Sequence, residues 1–338
     1  MTAPVTQPDA GTATALDDDA IARLSARAYD AFDAGDLPAA RADFEALLAA
    51  GPVHSALHYM LGLIAKYQRD WSASRHHNLS ALPLYEDPAD AEAAHWNAAI
   101  AATALGDHAE ARRQWSACGI EVTAGDGAIE RHFGVAGLRL DAWGSGETVF
   151  ARRIDPVRAC IINVPLPDGG YRYGDIVLHD GASTGERLFH QSRVPVFNAL
   201  QRLQASEFHT FAVFVRCAER DALAELFDLR VPGIGAIEDW TDSISHLCLR
   251  CSYGAPHDRG GPAHDARGTP DRPRGWHPER NLGVAAQGRA SVQRLLDRWK
   301  AGGPGRWLDA IESRDATPSD PPESGTCWWL SPEDRGDA

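Results

Sequence analysis

Basic charge is scarce in this chain. Its 338 residues carry 33 Lys and Arg against 47 Asp and Glu, a formal net charge of −14, and the acidic excess is spread along the length. Nucleic acid and anionic membranes both require a basic face, so neither is expected as a partner. Long hydrophobic runs are also missing: no stretch approaches the roughly 18 uncharged apolar residues of a membrane helix. Six unevenly spaced cysteines make no disulfide framework in a chain this long, which places it in a reducing interior, the cytoplasm. Met1 to Asp19 lacks the basic start and apolar run of a secretory signal and, rich in Ala, Thr, Asp and Pro, reads as a disordered N-terminal segment.

What the chain does contain is a recurring signature. Gly35-Asp36 precedes Ala40-Arg41 and Phe44; Asp70 precedes Ser74-Arg75; Gly106-Asp107 precedes Ala111-Arg112 and Trp115. The first two copies are 34 residues apart and the third follows after a three-residue insertion, a period that belongs to stacked helical hairpins. Small residues recur at equivalent places, Ala28, Gly62 and Ala99 on first helices and Ala40, Ser74 and Ala111 on second helices, where paired helices approach closely. The second copy departs from the pattern, with Asn78 in the aromatic position and Arg69 in place of the turn glycine.

This spacing resembles the tetratricopeptide repeat (TPR) family and implies TPR-like helical repeats over residues 20–122. The resemblance further implies that first helices line a concave groove, here Ser25, Tyr29, Phe32, Tyr59, Leu63, Lys66, Trp96, Ile100 and Thr103. Such a groove is aromatic and apolar, suited to a protein or peptide partner presenting an amphipathic helix or an extended apolar segment. The other possibility is that the protein's own C-terminal part fills it.

After residue 130 the pattern changes to alternation. Val149–Ile154, Val157–Val164, Asp175–His179, Arg187–His190 and Val194–Phe197 read as strands of a small β meander or barrel, with Asp180-Gly181 as a turn. Phe211–Cys217, a helix over Glu219–Leu229 and a strand over Ser245–Cys251 suggest a β-α-β unit. An amphipathic helix is expected at Ala290–Lys300, with a short helical successor at Trp307–Ile311. The fold class is thus multidomain: all-α hairpins, then an α+β domain over 130–312 with a mobile loop at 254–279, and an acidic Pro-rich tail over 313–338. That tail is interrupted by the apolar cluster Cys327-Trp328-Trp329-Leu330, which could dock into the groove of the same chain or of a neighbour.

Chemistry is sparsely signalled. Cys248-x-x-Cys251 with His257 and His264 supplies two thiols and two imidazoles for tetrahedral zinc, yet strand alternation would point the two cysteines to opposite faces. His54 and His58 stand one helical turn apart without the glutamate of a zinc protease. Gly181-x-Ser183-x-Gly185 matches a nucleophile elbow, but neither a following helix nor a triad partner for Ser183 can be assigned. Val231–Gly235 has one Gly-x-Gly step without the dinucleotide fingerprint and reads as a bend. Glu238-Asp239 reads as a solvated helix or turn start. No cofactor is implied. The leading expectation is therefore a non-enzymatic interaction scaffold or adaptor with the α+β domain as a second recognition module. The alternative is that the C-terminal domain is a zinc-binding or small-molecule-binding module to which the repeats recruit substrate. A third reading has the chain self-associating through Cys327–Leu330.

Overall fold

The computed structural model describes residues 17–122, 125–144, 146–243 and 276–330. Six α-helices come first: α1 (Asp18–Asp33), α2 (Leu37–Ala50), α3 (Ser55–Tyr67), α4 (Trp71–Ala81), α5 (Glu92–Ala104) and α6 (His108–Ala117), with two 3₁₀ turns between α4 and α5. Each helix packs on the one that follows it in the chain. The repeated Asp is the reason each second helix starts where it does. Asp36, Asp70 and Asp107 are N-caps whose carboxylates accept the backbone N–H of Ala39, Ala73 and Glu110, an interaction worth about 1 kcal/mol each. The residue before each cap has a left-handed backbone, Gly35 at φ 76°, Arg69 at 59° and Gly106 at 73°. The repeated Arg links one pair to the next: Arg41 donates to Asp70 at 3.3 Å and Arg75 to Asp107 at 2.9 Å. The small residues are buried where helices meet, and Asn78 occupies the space beside Gly62 that a side chain there would take.

The chain then forms a closed five-stranded barrel from β1 (Val135–Arg139), β2 (Thr148–Arg153), β3 (Arg158–Ile161), β4 (Ile176–Phe189) and β5 (Ser192–Gln204). Neighbours are antiparallel except at the closure, where β5 runs parallel to β1. Small and branched residues, among them Ala136, Leu138, Ala151, Ile161, Val177 and Ala199, fill its interior. Two sequence expectations change here. Asp180-Gly181 is not a turn but lies within β4, where register shifts on either side mark bulges that tolerate turn-type residues inside a strand. The chain reverses instead at His190-Gln191, so the short strands Arg187–His190 and Val194–Phe197 belong to one long hairpin.

A second sheet follows, built from β6 (His209–Cys217), α7 (Arg220–Asp228), β7 (Ile234–Asp239), the short α8 (Trp240–Ser243), β8 (Glu279–Ala286), α9 (Arg289–Ala301) and β9 (Arg306–Ser313). Its strand order is β7-β8-β6-β9, all antiparallel. This is a split β-α-β arrangement, with β8 inserted between β6 and the strand its crossover helix leads to. Phe211, Val213 and Val215 on β6 meet Leu226, Val292, Leu295, Leu296 and Trp299 in a separate core. Trp307–Ile311 is strand rather than helix, paired along β6. Strand β7 begins at Ile234, inside the segment read as a bend, and Glu238 and Asp239 are half-buried strand residues rather than a solvated start. Ser245–Cys251 and most of the 254–279 segment lie outside the described residues. Among the described residues no helix is long and apolar enough to cross a membrane.

Candidate functional site

The residues expected to line a groove sit on α1, α3 and α5, and most of them are buried or half-buried. Lys66, 3% exposed, donates from Nζ to both carboxylate oxygens of Asp180 on β4, at 2.9 and 3.2 Å, and lies 4.5 Å from the Tyr67 ring centre. Trp96 stands edge-on to Trp115 with ring centres 4.7 Å apart and touches the space above Gly181. Ile100 is fully buried; Leu63 and Tyr59 are partly so. Burial raises the Tyr59 phenol, which hydrogen-bonds Asn97. Trp71 Nε1 donates to Gln201 on β5 at 2.6 Å. Of the set, Tyr29 alone is well exposed, packed edge-on against Phe44.

The end of the groove nearest the α1–α2 turn is filled by residues 314–330, which run back across the barrel. Arg314 pairs with Asp168, Ser319 Oγ accepts from Trp143 Nε1 at 2.9 Å, and Asp320 pairs with Arg69 at 3.1 Å. Thr326 then crosses Gly35, where a Cβ would come within 2.7 Å of its backbone. The Cys327 thiol donates to the carbonyls of Asp33 at 2.9 Å and Phe32 at 3.8 Å. Trp329 stacks on Tyr67 with centres 4.6 Å apart and planes 9° from parallel, and it meets Phe32 at 5.3 Å. Trp328 is fully buried between Tyr67 and Trp143, and its carbonyl accepts from Asn198 of β5 at 3.0 Å. An aromatic tetrapeptide thus lies in an aromatic cleft formed by helices on one side and barrel on the other.

Around this junction several buried groups have shifted titration. Burial lowers His179 to about 4; its Nδ1 bonds the Asp180 carbonyl at 2.7 Å. Burial raises Glu147 to about 7, opposed by the Leu166 N–H that it accepts and reinforced by Asp141, Glu238 and Asp168. Glu238 accepts from the Asn163 amide at 2.6 Å and is likewise raised by burial. These two carboxyls hold the 163–166 segment between barrel and sheet, a clamp that sequence spacing did not signal.

The remaining candidates are dispersed. Ser183 is an exposed mid-strand residue opposite Phe197, its hydroxyl directed at the carbonyls of Gly185 and Val196 with no helix following, so the strand-turn-helix of an elbow is not formed. His58 meets His77 rather than His54, Nδ1 to Nδ1 at 3.0 Å. The ring centres are 5.3 Å apart, which places the two nitrogens head-on as in a shared hydrogen bond. Cys248, Cys251, His257 and His264 lie outside the described residues. Among the described residues no three His, Cys, Asp or Glu side chains gather as a metal would need. No protein-family model, curated protein or solved structure matches the chain.

Proposed function

We propose that this protein is a non-enzymatic interaction scaffold whose TPR-like hairpins recognise a short aromatic segment, held in a closed form by its own Cys327–Leu330. The observation that carries the reading is the fit of Trp329 against Tyr67 and Phe32, made by a segment about 300 residues away in the chain. An external partner of the same chemistry, an extended apolar segment with one or two aromatic anchors, would exchange with it at that end of the groove. Tryptophan and tyrosine dominate such contacts because they bury large area at little entropic cost. Among the described residues Cys118, Cys160 and Cys217 are free thiols, which suits a reducing cytoplasm.

The test uses the full chain and a labelled peptide with the sequence Ser324–Leu330. A Trp328→Ala, Trp329→Ala variant, checked for native helix content, is expected to bind it at least ~10-fold more tightly than the intact protein, a difference of about 1.4 kcal/mol. Failure of the folded variant to bind the peptide sinks the proposal and leaves the groove a purely internal packing surface.

A further inference from the structure

The second sheet has two edges, and the two are protected differently. An open edge presents unpaired backbone N–H and C=O groups, and natural sheets usually blunt it with charged side chains. Strand β9 follows that rule with exposed Asp309, paired to Arg216 on its neighbour, and exposed Glu312. Strand β7 does not. Among the described residues it pairs with β8 alone and reads Ile-Gly-Ala-Ile before its two acids, which are turned to other uses: Glu238 takes the Asn163 amide and Asp239 pairs with Arg280.

Beside this edge lies a groove of about 620 Å³ floored by Phe227, Leu229, Val231, Ile234 and Ile237. Its rim is basic. Arg230, Arg294 and Arg298 are all exposed. Arg294 reaches the Pro232 carbonyl at 3.3 Å and the Ser291 hydroxyl at 2.8 Å, Arg298 the Arg230 carbonyl at 3.5 Å, and Arg230 the Phe227 carbonyl at 2.9 Å. Among the described residues none of the three has a carboxylate partner. Nearby acids are engaged elsewhere, Asp297 with Lys300 and Glu225 with Arg306, leaving Asp228 exposed. In a chain of net charge −14, three guanidiniums bound only to neutral oxygens beside an unblunted apolar edge form a local exception.

We propose that the β7 edge is a strand-addition site for an extended partner segment whose groove-facing alternate positions are apolar at the centre and Asp or Glu at the ends. The backbone of β7 would supply the ladder, the groove would take the apolar side chains, and the arginine rim would pair with the carboxylates. This site is separate from the helical groove and does not depend on what occupies that groove.

The probe is a labelled octapeptide Glu-Thr-Val-Thr-Val-Thr-Glu-Thr, which puts Val and Glu on one face, with Lys in place of each Glu as control, titrated against the full chain by fluorescence anisotropy. The acidic peptide is expected to saturate, the basic one not to bind, and Arg230→Glu with Arg298→Glu to weaken the acidic peptide by at least ~10-fold. Both substitutions are at exposed positions, so the fold is retained. Hydrogen exchange read in parallel is expected to slow at the amides of residues 234–239 when the acidic peptide is present. Three results would each overturn the proposal. One is no saturable binding up to ~1 mM. Another is binding that leaves the 234–239 amides unchanged. The last is a dimer in solution whose 234–239 amides are already protected, which would assign the edge to a second copy of this chain.

Discussion

Glu147, half-buried, and His179, fully buried, stand where the barrel meets its neighbours, and they move stability in opposite directions with pH. Glu147 titrates at about 7 in the folded chain against an ordinary 4.5. The folded state therefore holds this proton more tightly than the unfolded one, and the associated stability is complete below about 4.5 and lost as pH rises to 7. The size is up to about 3 kcal/mol. His179, lowered from 6.5 to about 4, acts in the other direction, with stability present above 6.5 and lost as pH falls to 4. The two ranges overlap from about 4.5 to 6.5, where the opposite slopes nearly cancel, so urea melts across pH 4 to 8 are expected to show a plateau there with shallow declines on its acid and alkaline sides. Glu147→Gln should abolish the decline on the alkaline side; a decline that persists in the variant would locate it in another group. Gly35 offers a second residue-scale test because Gly106 is its counterpart with an almost identical backbone, φ 76° against 73°, and nothing near its Cβ position. Alanine at either strains the turn by ~1 kcal/mol or more. Only Gly35→Ala collides with Thr326, so it alone should raise the labelling rate of Cys327, followed by peptide mass mapping. Equal rates in the two variants would show that the segment does not rest on that turn.

Between elements, the strongest single tie of helix to barrel is Lys66 with Asp180, both nearly fully buried. Removing one partner leaves a buried charge uncompensated, so Lys66→Met should cost about 3–5 kcal/mol, whereas Lys66→Met with Asp180→Asn should recover part of that loss. A cost below ~1 kcal/mol for the single variant would mean the pair is open to water. This tie also marks where sequence reading stops. The six helices were legible because their signals are local: hydrophobic period, a capping Asp and a turn glycine within a few residues. The repeated Arg carried its reason only once Arg41 met Asp70 and Arg75 met Asp107. Docking of Cys327–Leu330 in the same chain stood as one alternative in the sequence, but the contacts themselves were not legible, since they rest on residues 114 and 295 positions apart. Trp307–Ile311 misleads for a definite cause. The β6–β9 register shifts between Phe214, opposite Ala310, and Val215, opposite Leu308. Asp309 is thereby the extra residue, and apolar positions 307, 308, 310 and 311 take on a helical spacing.

At the scale of the molecule, the division of the chain does not follow the boundary between helices and strands. One core runs from Ala28 and Phe44 through Ile64 and Trp115 to Val157, Leu178 and Leu200 of the barrel side and on to Trp328. A different core, centred on Val213, Leu226, Leu296 and Trp299, belongs to the second sheet and its two helices. Cooperative unfolding follows shared burial rather than secondary structure type. Helices α3 and α5 and strands β4 and β5 should therefore open together, with the second sheet as a separate unit. Native-state hydrogen exchange at rising urea is the measurement. Amides of α3, α5, β4 and β5 are expected to converge on one opening free energy, and those of β6, β8 and α9 on another. Helical amides that exchange well before β4 and β5 would show that Lys66, Trp96 and Trp328 join two independently stable bodies. Trp96→Glu would then impair only the contact with β4. In the shared core it should lower the opening free energy of helices and barrel alike, by a few kcal/mol, because it sets a charge between Trp115 and Gly181.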